Sequence, residues 1–110
     1  MANENTYEMT GRGLAVNRNG QMHVFIPLFE LLEAAQSMGF WIQNTGSFSV
    51  ADLCKAPPFL DVHAKRAQAA IDFMVDRGVI VADGKRFRPV DGAGSIDRGT
   101  VYRMFEGATA

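Results

Sequence analysis

Cys54, His23 and His63 are the residues best suited to nucleophilic or metal chemistry, and their setting argues against both. The two histidines lie far apart, and neither has neighbours at metal-ligand spacing. Cys54 is the sole cysteine, so no disulfide can form within the chain, and no His–Asp pattern accompanies it. Its place on a short helix reads as a small apolar filler. "VDGAGS" at 90–95 has the look of a glycine-rich loop that cradles phosphates. Such a loop must open a helix within a βαβ unit, and the residues after Ser95 are too few to build one, so Asp91 and Gly92 read as linker. The expectation is therefore no catalytic site, no metal and no cofactor in this chain.

Positive charge offers a second chemistry. His63, Lys65 and Arg66 fall at the front of one helix, and Lys85, Arg86 and Arg88 fall on a hairpin just after it. A helix and wing in that order can place a helix end in a major groove and wing cations on phosphates. Asp72 and Asp76 on later turns of the same helix would meet phosphate unfavourably. Overall balance points the same way, with 11 Lys plus Arg against 12 acidic residues and a net charge of −1. Phosphate neutralisation supplies most nucleic-acid affinity, and the basic surplus it needs is missing. DNA binding through these six residues stands as the alternative reading.

The elements that would position these groups are legible in outline. A chain of 110 residues, 47% hydrophobic, suits one domain with its own core. Residues 1–13 are polar and read as a loose or docking arm. "LAVNRNGQMHVFI" has apolar runs either side of Asn19-Gly20, a strong hairpin signal. Pro27 suits the start of a helix, which is expected to run to Met38 and stop at Gly39 in a left-handed cap. Ser49 and Asp52 have capping-box spacing and mark a short helix from Val50, ended by Pro57-Pro58. Asp61 can cap the next helix, which runs to Arg77 and Gly78. Its expected buried face is Ala67, Ala70, Ile71, Met74 and Val75, and Lys65, Gln68, Ala69, Asp72 and Asp76 face outward. "VIV" and "RFRPV" follow as strands joined at Asp83-Gly84. The final residues begin a helix with Thr100 as cap and Val101, Met104 and Phe105 on one side. It is too short to stand alone, so it packs on something or continues further. The fold class expected is mainly α with a small β-hairpin wing (α+β), winged helix-turn-helix-like.

Apolar residues exceed what this plan can cover. Leu28, Phe29, Leu31, Leu32, Ala35 and Met38 on the first helix, with Phe40, Trp41, Phe48, Phe59, Met104 and Phe105, call for a shared surface. Phe25, Phe29, Leu32, Trp41 and Phe105 are the expected interface residues. The N-terminus has no signal-peptide pattern, no apolar run is long enough to span a membrane, and the lone cysteine fits a reducing compartment. The expected setting is cytoplasmic, with no membrane partner.

The step at Ala35, Met38, Gly39, Phe40 and Trp41, within "LLEAAQSMGFWIQNTGSFSVADL", resembles a known family. It is similar to the N-terminal winged-helix-like domain of S-adenosylmethionine-dependent O-methyltransferases, including polyketide-pathway enzymes. There an "A-x-x-L-G-L-F"-like helix end precedes "G-P-L-T-x-x-E-L", and an "L-x-x-x-G-L-L" helix end and a "D-G-x-x-Y/F" wing follow. "IDFMVDRGVIVADGKRFRPV" occupies the matching place, whereas "KAPPFLDVH" departs from the family's polar turn. The resemblance spans about residues 22–90. It implies a domain that dimerises or lids a catalytic neighbour, with the partner being a second copy or that catalytic domain. The family's catalytic motifs lie outside it, so no catalytic residue carries over. On this reading residues 1–21 are a polar arm and possible β-ribbon, 22–90 the winged-helix domain, and 91–110 a linker and the start of a C-terminal helix.

Overall fold

Asn19 and Gly20 reverse the chain with φ of 55° and 82°, the paired left-handed conformation of a tight hairpin turn. The strands they join are β2 (Gly13–Arg18) and β3 (Gln21–Pro27), antiparallel and with a bulge at Val16/Asn17. A further strand, β1 (Asn5–Thr10), pairs antiparallel with the free edge of β2, giving the order β1-β2-β3. Residues 5–10 are thus a strand and not a loose arm. Tyr7 and Met9 turn inward while Thr6, Glu8 and Thr10 face out, a period-two alternation. This computed structural model describes residues 5–55, 64–92 and 95–109.

Helix α1 (Leu28–Thr45) follows directly from Pro27, with the Leu28 N–H donated to the Arg12 carbonyl at 2.8 Å. The helix passes through Gly39 and ends at Gly46, which takes the left-handed cap with φ 85°. Gly39 has a different task, because a Cβ there would overlap the Ile96 carbonyl oxygen. Glycine weakens a helix by about 1 kcal/mol relative to alanine, and here it permits the chain at 95–97 to lie against the α1 backbone.

Helix α2 (Val50–Leu53) begins as the sequence implies. Ser49 Oγ accepts from the Asp52 N–H, and Asp52 Oδ2 accepts from the Ser49 N–H, each at 3.1 Å. It ends before the proline pair, which falls outside the described residues, as does Asp61. Helix α3 (Ala64–Asp76) buries Ala67, Ala70, Ile71 and Met74 as expected, but also Ala69 and Phe73. Val75 is exposed instead. The three-stranded sheet widens the buried face of α3 toward Phe73, whose ring meets Tyr7 at 5.4 Å between centroids.

Strands β4 (Ile80–Asp83) and β5 (Arg86–Pro89) form an antiparallel hairpin. Phe48 bridges to Phe87 by paired backbone hydrogen bonds of 3.0 and 2.7 Å, and their rings lie 5.8 Å apart. Phe48 is fully buried and belongs to the core, not to a shared surface. Helix α4 (Arg98–Thr109) starts from Asp97, which exchanges hydrogen bonds with Thr100: Thr100 N–H to Asp97 Oδ1 and Asp97 N–H to Thr100 Oγ1, both 3.2 Å. Asp97 therefore takes the capping position and Thr100 the third helical one.

Among the described residues, four helices and two small antiparallel sheets make an α+β fold around one core. That core joins Leu14, Val16 and Ile26 of the sheet to Leu31 and Met38 of α1, Ile71 of α3 and Val101 of α4. Ile96, within residues whose composition reads as linker, is buried in it too. Among the described residues no side-chain polar atom is buried without a hydrogen bond, and no helix is long and apolar enough to cross a membrane.

Candidate interaction surfaces

The partners of the cations decide what the cations can do. Arg66 on α3 reaches across to α1, where its Nη1 donates to both Glu30 carboxylate oxygens at 3.1 and 3.2 Å. Arg86 on β5 donates from Nε to Ser47 Oγ at 2.7 Å, and from Nη2 to the Ser47 carbonyl at 2.9 Å and Asp52 Oδ2 at 3.1 Å. Arg88 pairs more loosely with Asp83 of the same hairpin at 3.8 Å. Lys65 and Lys85 are exposed and form no ion pair with the described residues. His63 lies outside the described residues. All three arginines of the candidate DNA surface are thus matched by carboxylates of their own chain.

Asp52 is the hub of the wing contacts. Burial alone would raise its pKa. The Ser49 N–H, Lys55 and Arg86 outweigh that and hold the carboxyl below its ordinary value. On α3, Asp72 accepts from Gln68 Nε2 at 2.8 Å and Asp76 pairs with Arg77 at 3.4 Å, so carboxylates line its outer later turns.

The apolar residues divide differently. Phe29 is 66% exposed and Phe40 59%, and both lie on the side of α1 turned from the core. Glu33, Gln36 and Gln43 share that side, since positions 29, 33, 36, 40 and 43 recur at helical spacing. Arg98, at the start of α4, bonds to both Glu33 and Gln36, with its Nε donating to Gln36 Oε1 at 2.6 Å. Beside them an open depression of about 730 Å³ runs between α1 and residues 95–97. Its polar groups are the Gln36 and Gln43 amides, Ser95 and Asp97, with Phe40 and Ile96 as apolar wall.

Of the expected interface residues, Phe29 is the most exposed and Phe25, at 36%, is partly so. Leu32 is buried in the core, because its side of α1 turns toward the rest of the chain. Trp41 and Phe105 are half-buried against that core. The Lys55 ammonium lies 5.4 Å from the Trp41 ring centre, and Phe40 meets Trp41 edge-on at 5.8 Å. The five do not form one patch. Phe40 is exposed where Leu32 is buried, and its spacing from Phe29 through Glu33 and Gln36 puts it on the same side of α1.

The groups suited to catalysis are scattered. Cys54 is buried. His23 on β3 has its pKa lowered by burial and by the Arg18 and Lys65 cations nearby. Among the described residues no three His, Cys, Asp or Glu side chains gather as a metal site. No protein-family model, curated protein or solved structure matches this chain.

Proposed function

We propose that this chain is a non-catalytic winged-helix domain whose work is protein association, as the dimerisation or lid domain of a methyltransferase-like enzyme. The observation that carries the reading is the contrast on its surface. The arginines that would meet DNA are held by the chain's own carboxylates, while two phenylalanines of α1 are left in water. The order α1, α2, α3 and a β4–β5 hairpin, with Phe48 bridging to Phe87, supports the winged-helix assignment. Support for the methyltransferase-like context comes from the resemblance at residues 35–41, where Gly39 admits the chain leading into α4. In this role the chain supplies apolar surface and no reacting group.

Titration of a labelled DNA duplex at ~50 and ~200 mM salt tests the reading. With all five described cations free, phosphate contacts would weaken binding about 500-fold across that range. Binding at neither salt, up to tens of micromolar protein, is the expected result. Micromolar binding at low salt that falls tenfold or more at high salt would overturn it in favour of a DNA-binding regulator.

A further inference from the structure

Arg18 of β2, His23 of β3 and Lys65 of α3 form no ion pair with the described residues, unlike the arginines of the wing. Arg18 ends β2 at the hairpin turn, and its Nε donates to Asn5 Oδ1 at 3.0 Å. His23 sits in the bulge of β3. Val16 pairs with Val24 and Asn17 with Met22, so no residue of β2 lies opposite it. Such a bulge re-aims the side chain of its extra residue. His23 is half-buried on a strand that packs on α3, and Lys65 is exposed on the first turn of that helix. Burial, then Arg18 and Lys65, hold the His23 pKa below its ordinary value, with Asp72 opposing them. Two cations close enough to act on one imidazole are close enough to share a ligand with it. We propose that Arg18, His23 and Lys65 form a binding site for a small phosphorylated molecule, with its phosphate held between the end of the β2–β3 hairpin and the first turn of α3.

The donor set suits phosphate. Arg18 uses only Nε within the described chain, which leaves its terminal nitrogens for two phosphate oxygens. Lys65 adds a mobile point charge, and protonated His23 adds a directed N–H. A bound dianion offsets the repulsion between His23 and its two cationic neighbours, so binding takes up a proton at the imidazole. Tyr7 of β1 also lies near Arg18, with its hydroxyl kept neutral by burial. Asp72 and Asp76 follow Lys65 on α3, and they set the size of the ligand. One phosphate at the hairpin end meets three cations, whereas an extended polyanion would run on into these carboxylates. With Asp72 close by and Lys65 in solvent, binding is weak, with half-saturation at roughly a millimolar. The site is independent of the protein-association reading.

The experiment follows the imidazole signals of the whole chain by NMR between about pH 5 and pH 8, with His63→Gln to assign His23. Spectra are compared in ~20 mM inorganic phosphate and in chloride of equal ionic strength, so that screening is the same. The expected result is a His23 midpoint about half a pH unit or more higher in phosphate. Arg18→Gln and Lys65→Gln should each weaken phosphate binding at least threefold, and Lys85→Gln, on the wing, should leave it unchanged. Equal midpoints in phosphate and chloride would overturn the proposal. So would an equal loss in Lys85→Gln, which would mean general attraction to positive charge. A larger rise with a DNA duplex or with phosphatidylglycerol vesicles, each at equal phosphate concentration, would give the site to a polymer or a membrane and overturn the small-ligand assignment. Circular dichroism checks the fold of each variant, and Arg18→Gln and Lys65→Gln are read separately, so either alone decides.

Discussion

The wing and the outer face of α1 resolve the same problem, exposed groups that need partners, in opposite ways. On the wing side, Arg86 and Asp52 satisfy one another within the chain, with Ser47 and Ser49 completing the network. On α1, Phe29 and Phe40 stay largely exposed, although Phe40 meets the Trp41 ring edge-on. Isolated exposed apolar residues are ordinary on any surface. Two large aromatics at matched positions on one helix, beside cations already neutralised, are less ordinary. The lesson is that sequence charge and hydrophobicity acquire functional meaning only after internal pairing has been subtracted.

The largest losses of stability are expected in the core. Phe48→Ala removes the buried ring that ties residue 48 to the β4–β5 hairpin and should cost about 3–5 kcal/mol in chemical denaturation. Gly39→Ala comes next, since the added Cβ must push the Ile96 carbonyl away; a loss of about 1–3 kcal/mol is expected. It should also loosen residues 95–97 and raise amide exchange at the start of α4.

Arg86→Ala opens the wing network. Arg86 is half-exposed, so screening limits its worth, and about 1 kcal/mol of lost stability at neutral pH is expected. Asp52 has a lowered pKa in the folded chain, so its contribution is present above its unfolded value and is lost as pH falls through the folded one. Wild type and Asp52→Asn should therefore differ at pH 7 and converge in melting temperature below about pH 4. The smallest effect on stability belongs to α1: Phe29→Ser and Phe40→Ser should each change it by less than about 0.5 kcal/mol, because neither side chain is in the core. Their effect should appear in protein association, which each is expected to weaken in sedimentation equilibrium.

Local chemistry made much of the fold legible. Asn19-Gly20 needs left-handed backbone and marks its hairpin, and Ser49 with Asp52 marks a helix start whatever lies around it. What escaped depended on residues distant in sequence. The alternation of Tyr7 and Met9 was visible, but the polar composition around them masked a strand that needed β2 as its partner. Gly39 has the local signature of a helix end, and only the Ile96 carbonyl reveals why glycine is there. The site was less legible than the fold. Phe29 could be picked out, yet choosing between Leu32 and Phe40 required knowing how α1 is rotated over the core. The pairing of Arg66 with Glu30 likewise joins two helices whose packing no local motif encodes.

Sedimentation velocity of the chain with a labelled duplex, at ~50 and ~200 mM salt, separates protein association from DNA binding. The account predicts that the duplex sediments alone at both salts, while the protein at ~100 µM shows a mass above its 12.0 kDa monomer at both. A 12.0 kDa monomer that carries the duplex at low salt and releases it at high salt would contradict it.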